Sequence, residues 1–498
     1  MSTKRIKQIL FAVLIFTMLL AACTPAATTQ PTTAPTAALA KTAPPATTAP
    51  LATTAPLATT APTAAAQPSK LSIICRCVIG GNGDANAKWI LQYVIPKFQE
   101  EMKAKGKNVT VDLVQFGGSD EELKARYALD LKAGSGSDVI AFDGFWTPEF
   151  ASAGLIKPIE AIAGANYKDW EGWSHIPVAV QQLLTYQGKV YGIPTGTDAR
   201  VIWYRKDLLK KAGLPENWQP KSWDELLAAA RMIKKTLPGV IPLQLNAGTA
   251  MGEATTLQGW YMAFLGTGNN VYDFQTNKFP VTGKAFLDTL NFYKTIYVDE
   301  KLGDARTQLL ANGRDSSFLS FRDGKTAMLV EGDYFWRSVL APGGDAELKD
   351  RNTLVGWAKM PAMAPGKGVN GQDFVTASGG TGFILNPNTK NTADSWGLLS
   401  FMYSKASLDF FQTLQPGIKS RDDVPVPNDL VLTTIAKELL PLTVTRPSDA
   451  AYSKFISPGI QSMTERVVSG EMTPQKAMDT FASEMTKAIG ADKVEPTK

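Results

Sequence analysis

Three aspartates and a set of aromatic side chains could bind a small polar molecule. Asp84 and Asp143 each follow a predicted strand, and Asp198 precedes another one. Ionised carboxylates accept strong hydrogen bonds from hydroxyl groups, whereas aromatic rings cover flat apolar surfaces. A site built from both would suit a ligand with hydroxyls at its rim and C–H groups on its faces. The candidate aromatic residues are Trp146, Tyr204, Trp260, Tyr334 and Trp336.

Each of these residues also has an ordinary structural interpretation, which stays open at this point. Aspartates in turns are commonly exposed to solvent, and a tryptophan in a helix, such as Trp260, usually packs in the core. Trp203 and Tyr204 are consecutive in a predicted strand. Their side chains therefore point to opposite faces, and only one of them can face a ligand.

Two glycines and two arginines extend the candidate site. Gly379 and Gly380 lack Cβ atoms, which would let their backbone approach a ligand closely. Arg200 and Arg421 carry planar guanidinium groups that could bind neighbouring hydroxyls or a carboxylate. An acidic ligand therefore stays open beside a neutral one.

The sequence carries no motif for catalysis, a cofactor or a metal ion. The Gly-x-Ser-x-Gly, Gly-x-x-x-x-Gly-Lys-Ser/Thr and His-Glu-x-x-His patterns are all absent. His175 is the single histidine, and we expect it to be structural because it has no partners at metal-ligand spacing. We predict a protein without enzymatic activity, cofactor or metal. Composition alone leaves a glycosidase open, since that chemistry needs only two carboxylates.

The N-terminus has the pattern of a bacterial export signal with a lipid attachment site. Three basic residues precede an apolar run at 9–22, which is too short to span a bilayer as a helix. The Leu-Ala-Ala-Cys sequence at 20–23 resembles the lipobox of bacterial lipoproteins, which implies cleavage before Cys23 and a lipid on its sulfur. We expect a signal peptide at 1–22 and a mature protein anchored to the outer face of the cell membrane. An ordinary secretory signal is the alternative.

A long segment of low complexity follows Cys23. Residues 24–68 are almost entirely Thr, Ala and Pro, and Lys41 is their only charged residue. So little large apolar surface cannot offset the entropy lost on folding, and proline favours extended conformations. We therefore predict a disordered, lipid-anchored tether at 23–69 that carries a folded domain at 70–498. That domain is long enough for two lobes.

The charge pattern gives no sign of a nucleic-acid partner. The formal net charge is +5, and three of the basic residues belong to the predicted signal peptide. The mature protein is therefore close to neutral, with both signs interspersed along the chain. We expect a monomer that does not bind nucleic acid.

Cys75 and Cys77 lie in a predicted strand at 71–79. Two residues at this spacing in a regular strand point to the same face, but they are further apart than relaxed disulfide geometry allows. We expect both side chains to be buried and unbonded, with a strained disulfide as the alternative.

Strands and helices alternate at the start of the folded region, and this order positions the first candidate aspartates. The predicted strands are 71–79, 109–116 and 138–142, and the predicted helices are 89–102 and one that opens with the capping box Ser119-Asp-Glu-Glu122. A β-α-β-α-β order implies an α/β fold with a parallel sheet. Ligands of such sheets bind beyond the carboxyl ends of the strands. Asp84, Gly117-Gly118 and 143–146 should therefore converge.

A series of motifs along the folded region resembles one protein family. In chain order they are Asp138-Val-Ile-Ala with Ala153-Gly-Leu-Ile-Lys-Pro158, Tyr191-Gly-Ile-Pro194, Lys206-Asp-Leu208 with Lys211-Ala-Gly-Leu-Pro215, Trp223-Asp-Glu-Leu226, 326–336, 378–385 and 469–477. The order and spacing are similar to those of the extracellular solute-binding proteins of ABC importers, family 1. This carbohydrate-binding group includes the maltose-binding proteins.

The resemblance implies a type II periplasmic-binding-protein fold, in which two α/β lobes are joined by hinge strands and enclose a ligand cleft. It implies a mono- or oligosaccharide ligand and an ABC permease as the protein partner. It also implies ligand-binding acids in the loop after the first strand and at Asp198, and a ligand contact near Arg421. The expected lobes are about 70–197 with 345–400, and about 198–340 with 405–498.

The segment Gly332-Asp333-Tyr334 departs from the family, in which many members have Gly-Pro-Trp. We include Asp333 among the candidate site residues, and the departure weakens any inference about which sugar is bound. An extracellular carbohydrate-active enzyme and a sugar-sensing ectodomain are the alternatives. An enzyme would alter an oligosaccharide that a binding protein returns intact, and neighbouring permease genes would favour an importer over a sensor.

Overall fold

The computed structural model describes residues 68–495. The predicted signal peptide, the lipid attachment site Cys23 and the tether as far as residue 67 lie outside the described residues. Within the described part, no helix combines the length and the apolar character needed to cross a bilayer.

Strands occur along the whole described region. They are β1 Ser69–Cys75, β2 Val109–Gln115, β3 Val139–Asp143, β4 Thr185–Tyr186, β5 Lys189–Val190, β6 Gly192–Pro194, β7 Arg200–Arg205, β8 Ile241–Gln244, β9 Thr326–Gly332, β10 Val355–Ala358, β11 Met360–Pro361, β12 Phe374–Ser378, β13 Thr381–Leu385 and β14 Thr443–Thr445.

The α-helices are distributed between these strands. They are α1 Asp84–Trp89, α2 Ile95–Ala104, α3 Asp120–Lys132, α4 Thr147–Ser152, α5 Ile159–Ala163, α6 Val178–Gln181, α7 Lys206–Lys211, α8 Trp223–Thr236, α9 Met262–Phe264, α10 Lys284–Lys294, α11 Ala305–Gln308, α12 Gly313–Arg322, α13 Arg351–Leu354, α14 Thr392–Met402, α15 Lys405–Leu414, α16 Leu430–Leu439, α17 Ser457–Val468 and α18 Pro474–Ile489.

The first sheet has the strand order β2-β1-β3-β13-β6. Strand β1 is parallel to β2 and β3, whereas β13 is antiparallel to both β3 and β6. The carboxyl ends of β1, β2, β3 and β6 therefore lie at one edge of the sheet, beside the first residue of β13. The predicted β-α-β-α-β order is confirmed here, and this edge is where a ligand of such a sheet would bind.

The second sheet has the order β10-β7-β9-β8. Strand β9 is antiparallel to β7 and parallel to β8. Every residue of β7 and of β9 is buried. Burial on both faces explains why the two strands read as nearly continuous apolar runs instead of an alternating pattern. A third, smaller sheet has the order β11-β12-β14. It is connected along the chain to both larger sheets, because β11 follows β10 of the second sheet and β12 leads into β13 of the first.

Helix termini follow the local signals of the sequence. The Ser119 hydroxyl accepts a hydrogen bond from the Glu122 amide, and the Glu122 carboxylate accepts one from the Ser119 amide at 2.7 Å. This is the predicted capping box at the start of α3. The helix predicted at 89–102 instead begins at Asp84 and contains a π-helical turn, Ile90–Val94, which ends two residues before Pro96. A proline cannot donate its amide, so an irregular turn at this point is expected.

Distant segments complete each half of the molecule. Strand β10, in the segment 345–400, pairs with β7 of the second sheet, whereas β13 of the same segment joins the first. Helix α15 packs on the first sheet's side, where Phe411 stacks on Trp89 of α1 with ring centroids 4.6 Å apart. The chain therefore crosses between the two sheets several times.

The prediction that Cys75 and Cys77 are unbonded is wrong. The structure joins them in a disulfide, and both are buried. The strand ends at Cys75 and the chain bends at Arg76, so the Cα atoms of the two cysteines are only 5.3 Å apart. That separation lies within the usual disulfide range, which a regular strand would have exceeded.

Candidate functional site

The candidate site lies where the chain passes between the two sheets. Residues 195–199 connect β6 to β7, and Gly379-Gly380 connects β12 to β13. These connections are bonded to each other. The Ser378 hydroxyl donates to the Asp198 carbonyl at 3.0 Å, and the Arg200 amide donates to the Thr376 hydroxyl at 2.9 Å. Together with β14 they form the hinge.

Asp198 and Arg200 form a buried pair in the hinge. The carboxylate Oδ1 of Asp198 accepts hydrogen bonds from Nη1 of Arg200 and from the Gly379 amide, the latter at 2.7 Å. Burial raises the pKa of Asp198, but the charge of Arg200 and the amide of Gly379 outweigh that effect and hold the pKa below its usual range. Asp198 therefore stays ionised, and among described residues its Oδ2 has no hydrogen-bond partner.

The two candidate glycines allow the connecting strands to approach one another. A Cβ at Gly380 would lie 2.7 Å from the Gly196 carbonyl, and the Gly380 carbonyl accepts from the Gly144 amide at 3.1 Å. A Cβ at Gly379 would lie 3.1 Å from Nη2 of Arg200. Both glycines are thus explained by close packing of backbone and side chains within the hinge.

A second group of charges lies around Asp333. Its side chain is completely buried, Oδ1 accepts from Nε of Arg337 at 2.9 Å, and Oδ2 has no partner among the described residues. Burial raises the pKa of Asp333 to about 6, although Arg337 opposes this shift. Lys419 is also buried, and burial lowers its pKa well below the usual range. Arg337 also donates to Gln415, which joins the second half of the molecule to the first.

Tyr334 is held in place by its phenol oxygen. The hydroxyl donates to the carboxylate of Glu331 and accepts from Gln258 at 2.9 Å and from Arg314 at 2.5 Å. Glu331 is completely buried, and Arg314 binds both of its oxygens at 3.1 Å. Because three groups already occupy the hydroxyl, Tyr334 can offer a ligand its ring but not its oxygen.

Asp143 is the candidate that most directly faces the other half of the molecule. It ends β3, its side chain is 31% exposed, and Oδ1 accepts from Nη2 of Arg446 at 3.2 Å. Arg446 follows β14 and also pairs with Glu253, at 2.8 Å. Burial raises the pKa of Asp143 and of Glu253, and the charge of Arg446 opposes both shifts. A cavity of about 160 Å³ adjoins Arg446 and is lined by the loop after β3, the segment leading into β4 and the hinge.

Three of the predicted aromatic residues pack in the interior. Trp260 is completely buried between Phe264 and Phe286. Tyr204 lies edge-on to Trp218 and donates its hydroxyl to the Glu216 carbonyl. Trp146 is 5% exposed and lies edge-on to two core rings, those of Tyr127 and Phe142.

Trp336 is almost completely buried, with 4% of its surface exposed. One face stacks on Trp203, with the planes 6° apart, and the guanidinium of Arg351 lies 4.4 Å from its ring centroid. Its indole nitrogen donates to Asp429 at 2.9 Å. The surrounding cluster includes Leu432. Trp336 therefore stabilises this cluster, and Tyr334 is the aromatic residue of the segment that remains partly exposed.

Asp84 and Arg421 are occupied by local partners. Asp84 accepts a hydrogen bond from the Gly80 amide at 2.8 Å and forms an ion pair with Lys88, so both of its partners are close to it in the chain. Arg421 uses all three guanidinium nitrogens to bind Glu171 and Asp423. The structure does not bring either residue to the Asp143, Arg446 and Glu253 group.

The single histidine lies at the surface. His175 Nδ1 is 2.9 Å from Asp422, and His175, Asp422 and Asp423 are the one set of potential metal ligands found among residues 68–495. Asp423 is already paired with Arg421. The structural role of His175 stays a prediction.

Four charged residues of this region were not found from the sequence: Glu253, Arg314, Glu331 and Arg446. Glu253 and Arg446 are separated by 193 residues, and Glu331 lies in an apolar strand 17 residues after Arg314, so spacing gave no signal. Glu331 could have been found, because a carboxylate inside the run Thr326–Gly332 requires a buried partner.

Comparison with known proteins identifies the family. The sequence profile of the bacterial extracellular solute-binding proteins matches residues 84–408, more than half of the chain. The chain belongs to this family. The prediction from the motifs is thereby confirmed, and so is the two-lobed fold with hinge strands and a cleft.

Relatives of this solute-binding protein are about a quarter identical to it over the aligned regions. A putative binding protein of Brucella abortus is 26% identical over 320 residues, covering 62% of this chain and 69% of the relative. A maltooligosaccharide ABC transporter solute-binding lipoprotein of Streptococcus pneumoniae R6 is 23% identical over 416 residues, covering 82% and 87%.

Solved structures show the same fold. An ABC transporter solute-binding protein of Thermotoga lettingae bound to α-D-tagatose has a TM-score of 0.69 and 25% identity, covering 84% of this chain and 99% of that one. The maltose-bound MalE3 of T. maritima has a TM-score of 0.66 and 20% identity, covering 84% and 100%.

Proposed function

We propose that this solute-binding protein captures a mono- or oligosaccharide outside the cell and delivers it to the permease of an ABC importer. The two lobes close over the ligand by bending at the hinge, and the closed form docks on the permease. Membership of the family supports the capture of a solute, and a relative named as part of a maltooligosaccharide transporter supports the importer.

One observation carries the proposal. Side chains from both halves of the molecule meet beside the hinge, with Asp143 from the first sheet and Glu253 from the segment after β8 of the second. A ligand between them would contact both lobes at once, so its binding energy would favour closure.

The chemistry of these groups favours a carbohydrate. Asp143 and Asp198 each keep a carboxylate oxygen that can accept hydrogen bonds from hydroxyls, and Tyr334 offers an aromatic ring whose oxygen is already occupied. Hydroxyl acceptors together with an aromatic plate suit a sugar, which has both hydroxyls and flat C–H faces. Tagatose and maltose are the ligands named for two of the structural relatives.

Calorimetry on the full chain tests this proposal. We would titrate tagatose, maltose, maltotriose and lactose, and analyse each recovered sugar by chromatography. We expect at least one of them to bind and to be recovered intact. Cleavage of an oligosaccharide would favour an enzyme, and no binding across a wider sugar panel would contradict the carbohydrate proposal.

Tyr334→Ala should weaken the binding of that sugar roughly 10- to 150-fold, because an aromatic contact contributes on the order of 1.5–3 kcal/mol. Trp336→Ala is the matched control. Trp336 is 4% exposed and packs against Trp203 and Arg351, so this substitution should lower the melting temperature and change the affinity much less. Equal loss of affinity in both variants, with the fold intact by circular dichroism, would contradict the assignment of Tyr334.

Anchoring through Cys23, which lies outside the described residues, gives a separate prediction. Cys23→Ser should move the protein from the membrane fraction to the soluble fraction, because a single residue carries the lipid. Fractionation of cells that express each form measures this. A serine variant that still sediments with membranes would show that the lipobox interpretation is incorrect.

A further inference from the structure

Arg446 is the one described cation that pairs with carboxylates on both sides of the cleft. Its side chain is 9% exposed, Nη2 lies 3.2 Å from Oδ1 of Asp143, and Nη1 lies 2.8 Å from Oε1 of Glu253. Its guanidinium also lies 4.9 Å from the ring centroid of Phe145. A Cβ added at Gly379 would be 3.4 Å from Nη2, so the hinge glycine leaves room for this side chain.

The three charged residues come from three different parts of the fold. Asp143 is the last residue of β3 in the first sheet, Glu253 follows β8 of the second sheet, and Arg446 directly follows the hinge strand β14. Each of the two carboxylates also accepts a second hydrogen bond. Asp143 accepts from the Phe145 amide at 2.8 Å, and Glu253 accepts from the Ser457 hydroxyl at 3.0 Å.

We propose that Arg446 is a positioning residue of the cleft, which holds Asp143 and Glu253 together across the two lobes. It fixes Oδ1 of Asp143 and leaves Oδ2, which has no partner among the described residues, to accept a hydrogen bond from a ligand hydroxyl. The role of Oδ2 rests on the proposed function, whereas the coupling of the two lobes does not.

Charge repulsion gives the physical reason for the coupling. Burial is the main cause of the raised pKa of Glu253, and the negative charge of Asp143 raises it further, as expected for two nearby carboxylates. With Arg446 present, the group has one positive and two negative charges. Without it, two carboxylates of like charge would face each other, and the lobes would separate to reduce the repulsion. The other charged or titratable groups that act on these three are Asp120, Tyr261 and Tyr452. Arg200 is also close, because its Nη2 would lie 3.1 Å from the same Gly379 Cβ position that is 3.4 Å from Nη2 of Arg446.

Hydrogen exchange on the ligand-free full chain tests the coupling. In Arg446→Met, backbone amides of 144–146 and 252–258 should exchange roughly 10-fold faster at pH 7.5, because the lobes open more often. Adding Asp143→Asn to Arg446→Met should restore most of the protection, since the second change removes the repulsion. The exchange rates of Arg446→Lys should lie between those of wild type and Arg446→Met. The lysine ammonium group keeps the positive charge but cannot bind two carboxylates with the planar geometry of a guanidinium.

Arg231→Met is the control. Arg231 binds both oxygens of Glu300 at the surface, where it is 48% exposed, so its loss should leave exchange at the cleft unchanged.

Wild-type protection in Arg446→Met would overturn the proposal. So would increased exchange that the added Asp143→Asn does not reverse, because this would indicate a purely structural role. If Arg446→Met does not fold, a folded double variant upholds the proposal and an unfolded one overturns it. No ligand is needed, so failure here is distinct from failure of the sugar screen.

Discussion

Arg314→Met should destabilise the fold by about 3–5 kcal/mol near pH 7.5, because it leaves a buried carboxylate without its counter-ion. Glu331 is completely buried in β9, and Arg314 binds both of its oxygens. Burial raises the pKa of Glu331, but Arg314 outweighs this effect and holds the pKa below its usual range. Without Arg314, the unfavourable free energy of burying the charged Glu331 carboxylate is no longer offset by the ion pair. Denaturant unfolding of the two proteins measures the loss.

The pH dependence of this loss provides the control. In wild type the lowered pKa of Glu331 contributes stability above the pKa of the unfolded chain, and this contribution is lost as the pH falls through the folded pKa. In Arg314→Met burial should raise the pKa of Glu331, so that acid partly restores stability. The double variant Arg314→Met with Glu331→Gln should be more stable than Arg314→Met alone. A single variant as stable as wild type at pH 7.5 would contradict the buried ion pair.

Asp333→Asn should stabilise the protein relative to wild type more strongly at high pH than at low pH. Burial raises the pKa of Asp333 to about 6, above the value of 3.8 for an unperturbed aspartate. Between these two values the folded state binds more protons than the unfolded state, so wild-type stability falls as the pH rises. The asparagine does not titrate. The stability difference between the variants should therefore change by about 2 kcal/mol between pH 4 and pH 8, because the unfolded aspartate is already partly ionised at pH 4.

Unfolding curves at pH 4, 6 and 8 measure this change in both proteins. The shift should be centred between pH 4 and 6 and be complete by pH 8. Titration of the Asp333 carboxyl by carbon-13 NMR provides an independent check of the same group. A stability difference that does not vary with pH would show that Arg337 compensates the buried charge completely. The raised pKa assigned to Asp333 would then be incorrect.

The family and the fold could be read from the sequence because their signals are local and follow one another along the chain. The capping box at Ser119 and the alternation of strands and helices each depend on a few neighbouring residues. The order of the motifs from Asp138 to Ala477 then indicated the solute-binding family, and the sequence profile over 84–408 confirms it. The anchoring at Cys23 and the choice of sugar remain predictions.

The site was less predictable because residue type does not reveal orientation. Trp260 and Trp336 were reasonable aromatic candidates, yet the structure packs Trp260 in the core and buries Trp336 against Trp203 and Arg351. Tyr334, two residues before Trp336, remains partly exposed. The disulfide between Cys75 and Cys77 was missed for a similar reason, since a bend at Arg76 changes a distance that regular strand geometry would fix.

By itself the sequence determined the α/β class, the family and the position of Asp143 at the carboxyl end of a parallel strand. Only the tertiary structure decided which charges meet. Asp143, Glu253 and Arg446 are brought together by β3, the segment after β8 and β14, and the separations between them along the chain exceed one hundred residues. Local patterns encode helices, strands and turns, but electrostatic pairing acts through space. The arrangement of charges at the hinge therefore appears only once the two sheets are assembled around it.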